Sequence, residues 1–139
     1  MNYLIHQLLN TEEINLIKKE LEKCTQDWED GKKTAGSHAS MVKNNLQLNR
    51  NSETSKKNSQ LINKKILSNQ LIKSFSLPKR IHGIMFTKSS ENMHYGRHID
   101  NPYMSSGRSD LSFTLSLTNK EFYEGCLLYT SDAADDLTR

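Results

Sequence analysis

The apolar residues of this chain change their spacing after Lys79, and this change restricts the folds open to it. Before Lys79 they recur every three or four positions, which predicts amphipathic helices. After it, short apolar runs separated by turns alternate with polar residues, which predicts strands. Helices followed by many short strands predict an α+β fold, mainly β, in which a sandwich or barrel carries helices on its outside.

Two helices are predicted in the first part of the chain. Asn10 stands three residues before Glu13, a pair that can form a capping box, and the first helix should fade around Cys24. Its apolar residues recur at helical spacing: Ile14, Ile17 and Leu21. The second helix should run from about Ser52 to Phe75, because an apolar stripe continues that far and Pro78 follows it.

The segment between the helices predicts a loop and then a strand. Gly and Ser content assigns Trp28 to Ala39 to a loop, and the alternation from Val42 to Leu48 predicts the strand. One face of this strand is polar: Lys43, Asn45 and Gln47. Two interpretations are open, a solvated edge strand, which is the simpler, or a face that meets substrate beside a functional cavity.

Three further strands are predicted after Lys79. Ile81 to Thr87 is typical of a buried strand, and Tyr95 to Asp100 of a short one. Leu111 to Leu117 alternates along its whole length. Turns are predicted between them, at residues 88–92 and 101–107.

The composition bounds the class of protein. The chain has 139 residues, 35% of them hydrophobic, which suits one globular domain. Its net charge is +3 with acids and bases interspersed, so no nucleic-acid partner is expected. Two cysteines give no disulfide framework. Without a signal-peptide pattern or a bilayer-spanning run, we expect a soluble cytoplasmic protein with no membrane partner.

The central candidate site is the pair His98 and Asp100, within the sequence HYGRHID. On an extended strand, residues two apart point to the same side, roughly 6.6 Å apart, and can converge on one metal ion. A second histidine from far along the chain would complete the two-histidine, one-carboxylate triad of non-haem iron(II) oxygenases. His-x-Asp alone is a weak signal, and an ordinary surface pair is the alternative.

Other residues near this pair have weaker claims. Tyr95 either lines a cofactor pocket or only packs. His94 lies about 13 Å from His98 along a strand, so we expect it at the rim of the site or in solvent. Arg108 and Asp110 begin the last strand, where a structural salt bridge is favoured over a contact to the site.

Several stretches, in order, give the chain a resemblance to a known family. HYGRHIDNPYM and RSDLSFTLSLTNKEFYEG, preceded by LLNTEEI, WEDGKKTAG and VKNNLQL, are similar to the PKHD-type hydroxylases, relatives of the prolyl and lysyl hydroxylases. The resemblance covers Leu4 to Gly125. It implies a double-stranded β-helix (jelly-roll), incomplete in this chain, with helices packed outside.

The resemblance also implies an activity. Members of the family are Fe(II)- and 2-oxoglutarate-dependent dioxygenases, which hydroxylate a substrate and release succinate and CO2. Here the substrate is expected to be a protein or small molecule, and the cofactors Fe(II), 2-oxoglutarate and O2, with L-ascorbate as an optional addition. A homodimer is an open expectation. Two other functions stay open: a nucleic-acid oxidative demethylase of the same fold, and a non-catalytic jelly-roll binding module.

The resemblance maps the family's first two iron ligands onto His98 and Asp100. The third ligand, a distal histidine, and the arginine that pairs with 2-oxoglutarate would follow Gly125, and no histidine follows Asp100 in this sequence. Ser89 departs from the family at a place where relatives often carry a tyrosine. We therefore predict that the 139-residue chain is inactive by itself.

The last residues break the pattern. Residues 126–139 continue no strand, and the first ten of them, CLLYTSDAAD, resemble one reading frame of a sequencing-library adapter, although a native polar tail is the alternative. The predicted division is a dioxygenase part, residues 1–125, and a non-native tail, residues 126–139.

Overall fold

The computed structural model of the protein describes residues 5–104 and 107–124. In these ranges, helices contain more residues than strands, so the α+β composition is confirmed but a mainly β one is not seen. The described strands form three separate antiparallel sheets with no closed barrel. The jelly-roll therefore stays a prediction, and the predicted tail at residues 126–139 lies outside the described residues.

The first helix has the boundaries that the sequence predicted. Helix α1 spans Thr11–Lys23. Asn10 Oδ1 accepts a hydrogen bond from the Glu13 backbone N–H at 2.8 Å, and Glu13 Oε2 accepts from the Asn10 N–H at 3.0 Å. This is a complete capping box, which satisfies two backbone donors that the helix itself leaves free. Ile17 is fully buried, and Cys24 ends the helix.

The loop predicted from Trp28 to Ala39 is wrong, because this segment contains regular structure. Strand β1 spans Trp28–Asp30, a short 3-10 helix spans Gly31–Thr34, and helix α2 spans Ser37–Met41. The Asp30 side chain accepts a hydrogen bond from the Lys32 N–H at 2.9 Å and caps the 3-10 helix. The strand exists because it pairs with a distant segment, which local turn chemistry does not reveal.

The strand predicted from Val42 to Leu48 is present, but Asn45 interrupts it. Strand β2, Lys43–Asn44, and strand β3, Leu46–Leu48, belong to different sheets. β3 lies between β1 and β4, Thr87–Lys88, and is antiparallel to both. β2 pairs with β5, His94–Tyr95. One predicted strand therefore joins the three-stranded sheet to the two-stranded sheet beside it.

The second predicted helix is two helices. Helix α3 spans Glu53–Ser68 and helix α4 spans Gln70–Ser76, with Asn69 between them. Asn69 has an extended backbone, and its side chain accepts a hydrogen bond from the Ile72 N–H at 3.0 Å. The same residue thus ends α3 and caps α4, so the apolar stripe continues through a break in the hydrogen bonding.

Two predicted strands are wrong in their extent. Of Ile81 to Thr87, only Thr87 is in a strand, although the Leu48 N–H donates to the Phe86 carbonyl at 3.0 Å. Leu111 to Leu117 joins no sheet among the described residues, and Leu111 is 58% exposed. A strand needs a partner as well as an alternating sequence.

The last two short strands pair with each other where the turn at residues 101–107 was predicted. Strand β6 spans Tyr103–Met104 and pairs antiparallel with β7, Gly107–Arg108. Gly107 has a φ of 133°, which glycine adopts without the steric cost of a Cβ.

The core lies between α1, α3 and the central strand β3. Its buried apolar residues come from the two helices, from β3 and from the segments that precede α1 and β4: Leu9, Ile17, Leu48, Ile62, Ile66 and Phe86. Burial of these side chains stabilises the layer that carries β2 and β5 at its edge. None of the helices described is long and apolar enough to cross a membrane.

Glu20 connects the two long helices and should make stability depend on pH. The Lys57 ammonium donates to Glu20, and Asn58, which is buried, donates to it at 3.0 Å. Lys57 lowers the pKa of Glu20 from its ordinary value of 4.5, and Asn58 adds to this against the opposing effect of burial. The folded pKa lies below the unfolded one, so this stabilisation is present above pH 4.5 and is lost as pH falls through the folded pKa.

We expect Glu20→Gln to lower the free energy of unfolding at pH 7 and to flatten its fall between pH 5 and about pH 3. Urea unfolding across this range measures both effects. Glu22→Gln, on the exposed side of α1, is the matched control and should keep the wild-type pH slope. Equal slopes for the two variants would contradict the assignment to Glu20.

Candidate metal-binding site

The predicted pair His98 and Asp100 is brought together, but not by a strand. The strand predicted from Tyr95 to Asp100 is wrong beyond Tyr95, where β5 ends. Both residues lie in irregular backbone after it, and His98 Nε2 is 3.4 Å from Asp100 Oδ1. The two side chains therefore converge through local backbone geometry and not through the alternation of a strand.

A backbone carbonyl fixes which nitrogen of the neutral His98 ring carries the proton. His98 Nδ1 lies 2.8 Å from the Gly96 carbonyl oxygen, which can only accept, so Nδ1 carries a proton. In the neutral imidazole, Nε2 then presents a lone pair to the Asp100 carboxylate. Two acceptors then face each other, and a metal cation between them would bind to both. This is also how metal-bound histidines are held, with the other ring N–H on a backbone carbonyl.

The two donors suit a divalent metal ion. Nitrogen and oxygen ligands of comparable sites lie about 2.0–2.2 Å from the metal, and the 3.4 Å separation is shorter than twice that distance. An imidazole and a carboxylate are two of the three ligand types of the non-haem iron(II) triad. No group of three or more His, Cys, Asp or Glu residues that could hold a metal occurs within the described part of the chain.

Gly96 is held by the neighbouring strand. In the β2–β5 ladder, Lys43 is opposite Tyr95 and Asn44 is opposite His94. One residue further on, the Gly96 N–H donates to the Val42 carbonyl at 2.7 Å. A Cβ on Gly96 would stand 3.0 Å from Val42 Cβ, so the close approach requires glycine or a shift of the neighbour. β2 therefore sets the position of the carbonyl that orients His98.

Tyr95 packs directly on the candidate ligand. Its ring stacks on the His98 ring with centroids 3.7 Å apart and planes at 12°. The Tyr95 side chain stays 40% exposed, and burial, followed by the charge of Asp100, raises the pKa of its hydroxyl. The sequence was compatible with two roles for Tyr95, lining a cofactor pocket or packing. The structure shows that its ring packs against His98. Its role toward a cofactor stays a prediction.

The polar face of the predicted strand is buried, so the interpretation as a solvated edge strand is wrong. Lys43, Asn45 and Gln47 are 2%, 5% and 5% exposed. Lys43 Nζ donates to Thr34 Oγ1 at 3.3 Å, and the Thr34 hydroxyl donates to Gln47 Oε1. Asn45 Oδ1 has no hydrogen-bond partner among the described residues. Contact of these three residues with a substrate stays a prediction.

Lys43 also contacts the Tyr95 ring beside the candidate site, a contact that the sequence pattern did not predict. Its Nζ stands 4.8 Å from the centroid of the Tyr95 ring. Burial, and then the nearby Arg50, lowers the pKa of the Lys43 ammonium. The only sequence signal for this contact is the register that places Lys43 opposite Tyr95, and register is not visible without the pairing.

The remaining candidates lie at the surface. His94 is exposed, where the sequence placed it. Arg108 and Asp110 form an exposed ion pair with an N–O distance of 2.5 Å, which confirms the predicted salt bridge. A pair this exposed contributes little to stability.

Fold and site together define a class: an α+β protein in which small antiparallel sheets carry a histidine–aspartate pair suited to a metal ion. Comparison with known proteins narrows this class. The chain is 88% identical over 126 residues to a PKHD-type hydroxylase of Prochlorococcus marinus strain MIT 9301. It is 71% and 72% identical over 125 residues to the PKHD-type hydroxylases of strains MIT 9515 and MIT 9312.

Over the matched part, which is 90% of its length, the chain is similar in sequence to these PKHD-type hydroxylases. Each match covers 90% of this chain and 57% of the relative, so the chain spans little more than half the length of the relatives. No family model matches the chain, and no solved structure matches it.

Proposed function

We propose that this chain supplies two iron ligands, His98 and Asp100, to an Fe(II)- and 2-oxoglutarate-dependent hydroxylase. The observation that carries the proposal is the imidazole Nε2 facing a carboxylate oxygen at 3.4 Å, with Nδ1 committed to the Gly96 carbonyl. The relatives named above are each called a PKHD-type hydroxylase, which supports an oxidative reaction. The proposed substrate is a protein or a small molecule, and the proposed location is the cytoplasm.

Each side chain has a task in this proposal. When bound, iron(II) with 2-oxoglutarate and O2, and L-ascorbate as an optional reductant, supplies the oxidation of a C–H bond. His98 and Asp100 hold the ion, and the Gly96 carbonyl keeps the imidazole in the tautomer that binds it. Tyr95 covers one face of the His98 ring and restricts its rotation.

The proposed enzyme needs more than these residues. A two-histidine, one-carboxylate site takes a second histidine, and the relatives contain a further part of their length that this chain does not span. We propose that this further part supplies the second histidine and the arginine for 2-oxoglutarate. With two ligands, the 139-residue chain should bind a divalent ion weakly and release no succinate.

Metal binding tests the ligand pair directly. We expect His98→Ala and Asp100→Ala each to weaken Co(II) binding by at least about tenfold, since loss of even an outer partner of a ligand costs that much. Isothermal titration of the 139-residue chain with Co(II) measures the affinity. His94→Ala, which removes an exposed histidine four residues away, is the matched control and should bind like wild type. If all four proteins bind Co(II) equally, the ligand assignment is wrong.

A further inference from the structure

We infer that Lys43 is a positioning residue for the metal site, whose ammonium group holds the Tyr95 ring against His98 and so fixes the direction of the His98 imidazole. The inference deepens the proposed function and rests on it for the identity of the ligand. It concerns a residue on β2, whereas His98 follows β5, and four helices and strands separate β2 from β5 in the sequence.

The geometry is a stack of three groups. Lys43 and Tyr95 are paired across the β2–β5 ladder, which brings the Lys43 Nζ to 4.8 Å from the Tyr95 ring centroid. The Tyr95 ring in turn lies 3.7 Å from the His98 ring, nearly parallel to it. A lysine at this distance from an aromatic ring makes a cation–π contact. Displacement of Tyr95 would therefore break two contacts at once.

Because Lys43 is buried, its ammonium group depends on the Tyr95 ring for part of the stabilisation that water would otherwise give. Lys43 is 2% exposed, and among the described residues it has no ion pair and one side-chain hydrogen bond, to Thr34 Oγ1. An ammonium removed from water needs compensation, and a cation–π contact grows stronger when it is desolvated. The face of Tyr95 also contacts the charge, and the Asp30 carboxylate attracts it without forming an ion pair. Lys43 therefore favours the one orientation of Tyr95 that keeps the ring over its Nζ.

The orientation of the Tyr95 ring determines the orientation of the proposed metal ligand His98. The Nδ1 contact to the Gly96 carbonyl fixes one edge of the His98 ring, but rotation about that contact can still swing Nε2 away from Asp100. Stacking on Tyr95 fixes the plane of the ring. A ligand held in the binding direction loses less freedom when the ion binds. Lys43 therefore acts on the His98 ring through Tyr95.

The test uses Lys43→Met, which keeps an unbranched side chain one atom shorter and removes the charge, and Lys43→Arg, which keeps the charge. The first readout is the upfield ring-current shift of the His98 ring protons in the metal-free chain, with Tyr95→Leu as the reference without a stack. The second is Co(II) affinity. Lys88→Met is the matched control, because Lys88 Nζ stands 5.9 Å from the Trp28 ring and is exposed.

We expect Lys43→Met to lose the His98 shift and to bind Co(II) about tenfold more weakly, the range found for outer partners of metal ligands. Lys43→Arg and Lys88→Met should keep both near wild type. A folded Lys43→Met protein with an unchanged His98 shift overturns the inference. If that variant does not fold, wild type decides: the Lys43 Hε protons must show ring-current shifts and contacts to the Tyr95 ring, and their absence overturns it.

The two proposals fail separately. If His98→Ala binds Co(II) like wild type, the ligand assignment fails, yet the His98 shift in Lys43→Met still decides whether Lys43 orients that ring. If His98→Ala loses Co(II) while Lys43→Met keeps both the shift and the affinity, the ligand assignment stands and the role of Lys43 falls.

Discussion

A chimera of residues 1–125 with the C-terminal part of the strain MIT 9301 relative is expected to release succinate from 2-oxoglutarate, and the 139-residue chain by itself is expected to release none. The physical reason is the ligand set. Two donors leave iron loosely held, and the further length of the relative is the proposed source of the second histidine and the 2-oxoglutarate arginine. At 88% identity over the shared part, the two pieces should pack with few altered contacts.

Variants of the chimera connect its activity to the candidate site. His98→Ala and Asp100→Ala should lower Fe(II)-dependent succinate release by at least about a hundredfold, the upper range for loss of an outer partner alone. His94→Ala should keep the parent rate. Succinate release by the unextended chain would contradict the proposed incompleteness. A folded chimera that binds Co(II) through His98 but releases no succinate would favour a binding module over an enzyme.

The features that sequence predicted well are those decided by near neighbours. Asn10 and Glu13 form the capping box that their spacing indicated, because both partners lie within one turn of helix. The second helix begins near the predicted Ser52, whose side chain caps α3 by accepting from the Ser55 N–H at 3.2 Å, a contact that is also local. The break at Asn69 was missed although it is local, since the apolar stripe runs through it and Asn is compatible with both a helix interior and a cap.

The features that sequence did not predict depend on pairing between distant segments. β1 was missed because only its ladder with β3 makes it a strand, and Leu111 to Leu117 was assigned to a strand although no described residue pairs with it. Alternation states which residues share a face, but it does not state which strand lies alongside.

In the candidate site, too, local contacts were predicted and contacts between distant segments were not. The closeness of His98 and Asp100 was predicted, but from the geometry of a strand that is not there. Lys43 was placed on a polar face with its burial unresolved, because a polar strand face is compatible with solvent and with a closed interior alike. Its contact with Tyr95 required the β2–β5 register.

The tight approach between the 3-10 helix and the β2–β3 segment makes Gly31→Ala a strongly destabilising change. Gly31 is buried, and its N–H donates to the Asn45 carbonyl at 2.9 Å. A Cβ there would stand 2.0 Å from Asn45 Oδ1 and 3.0 Å from the Asn45 carbonyl oxygen. Either the side chain or the segment must move, and overpacking of this kind costs about 1–3 kcal/mol.

Asn45→Ala should partly rescue Gly31→Ala. Asn45 Oδ1 is the nearest obstacle, and it has no hydrogen-bond partner among the described residues, so its removal alone should cost little. The double variant should therefore be more stable than Gly31→Ala, although the backbone oxygen at 3.0 Å prevents full recovery. The urea midpoints of wild type, the two single variants and the double variant give their relative stabilities, provided that the dependence of the unfolding free energy on urea is the same for all four. Gly36→Ala is the control, because a Cβ there meets nothing within 4 Å. If Gly31→Ala and Gly36→Ala lower the free energy of unfolding equally, the contact between Gly31 and Asn45 is less close than described.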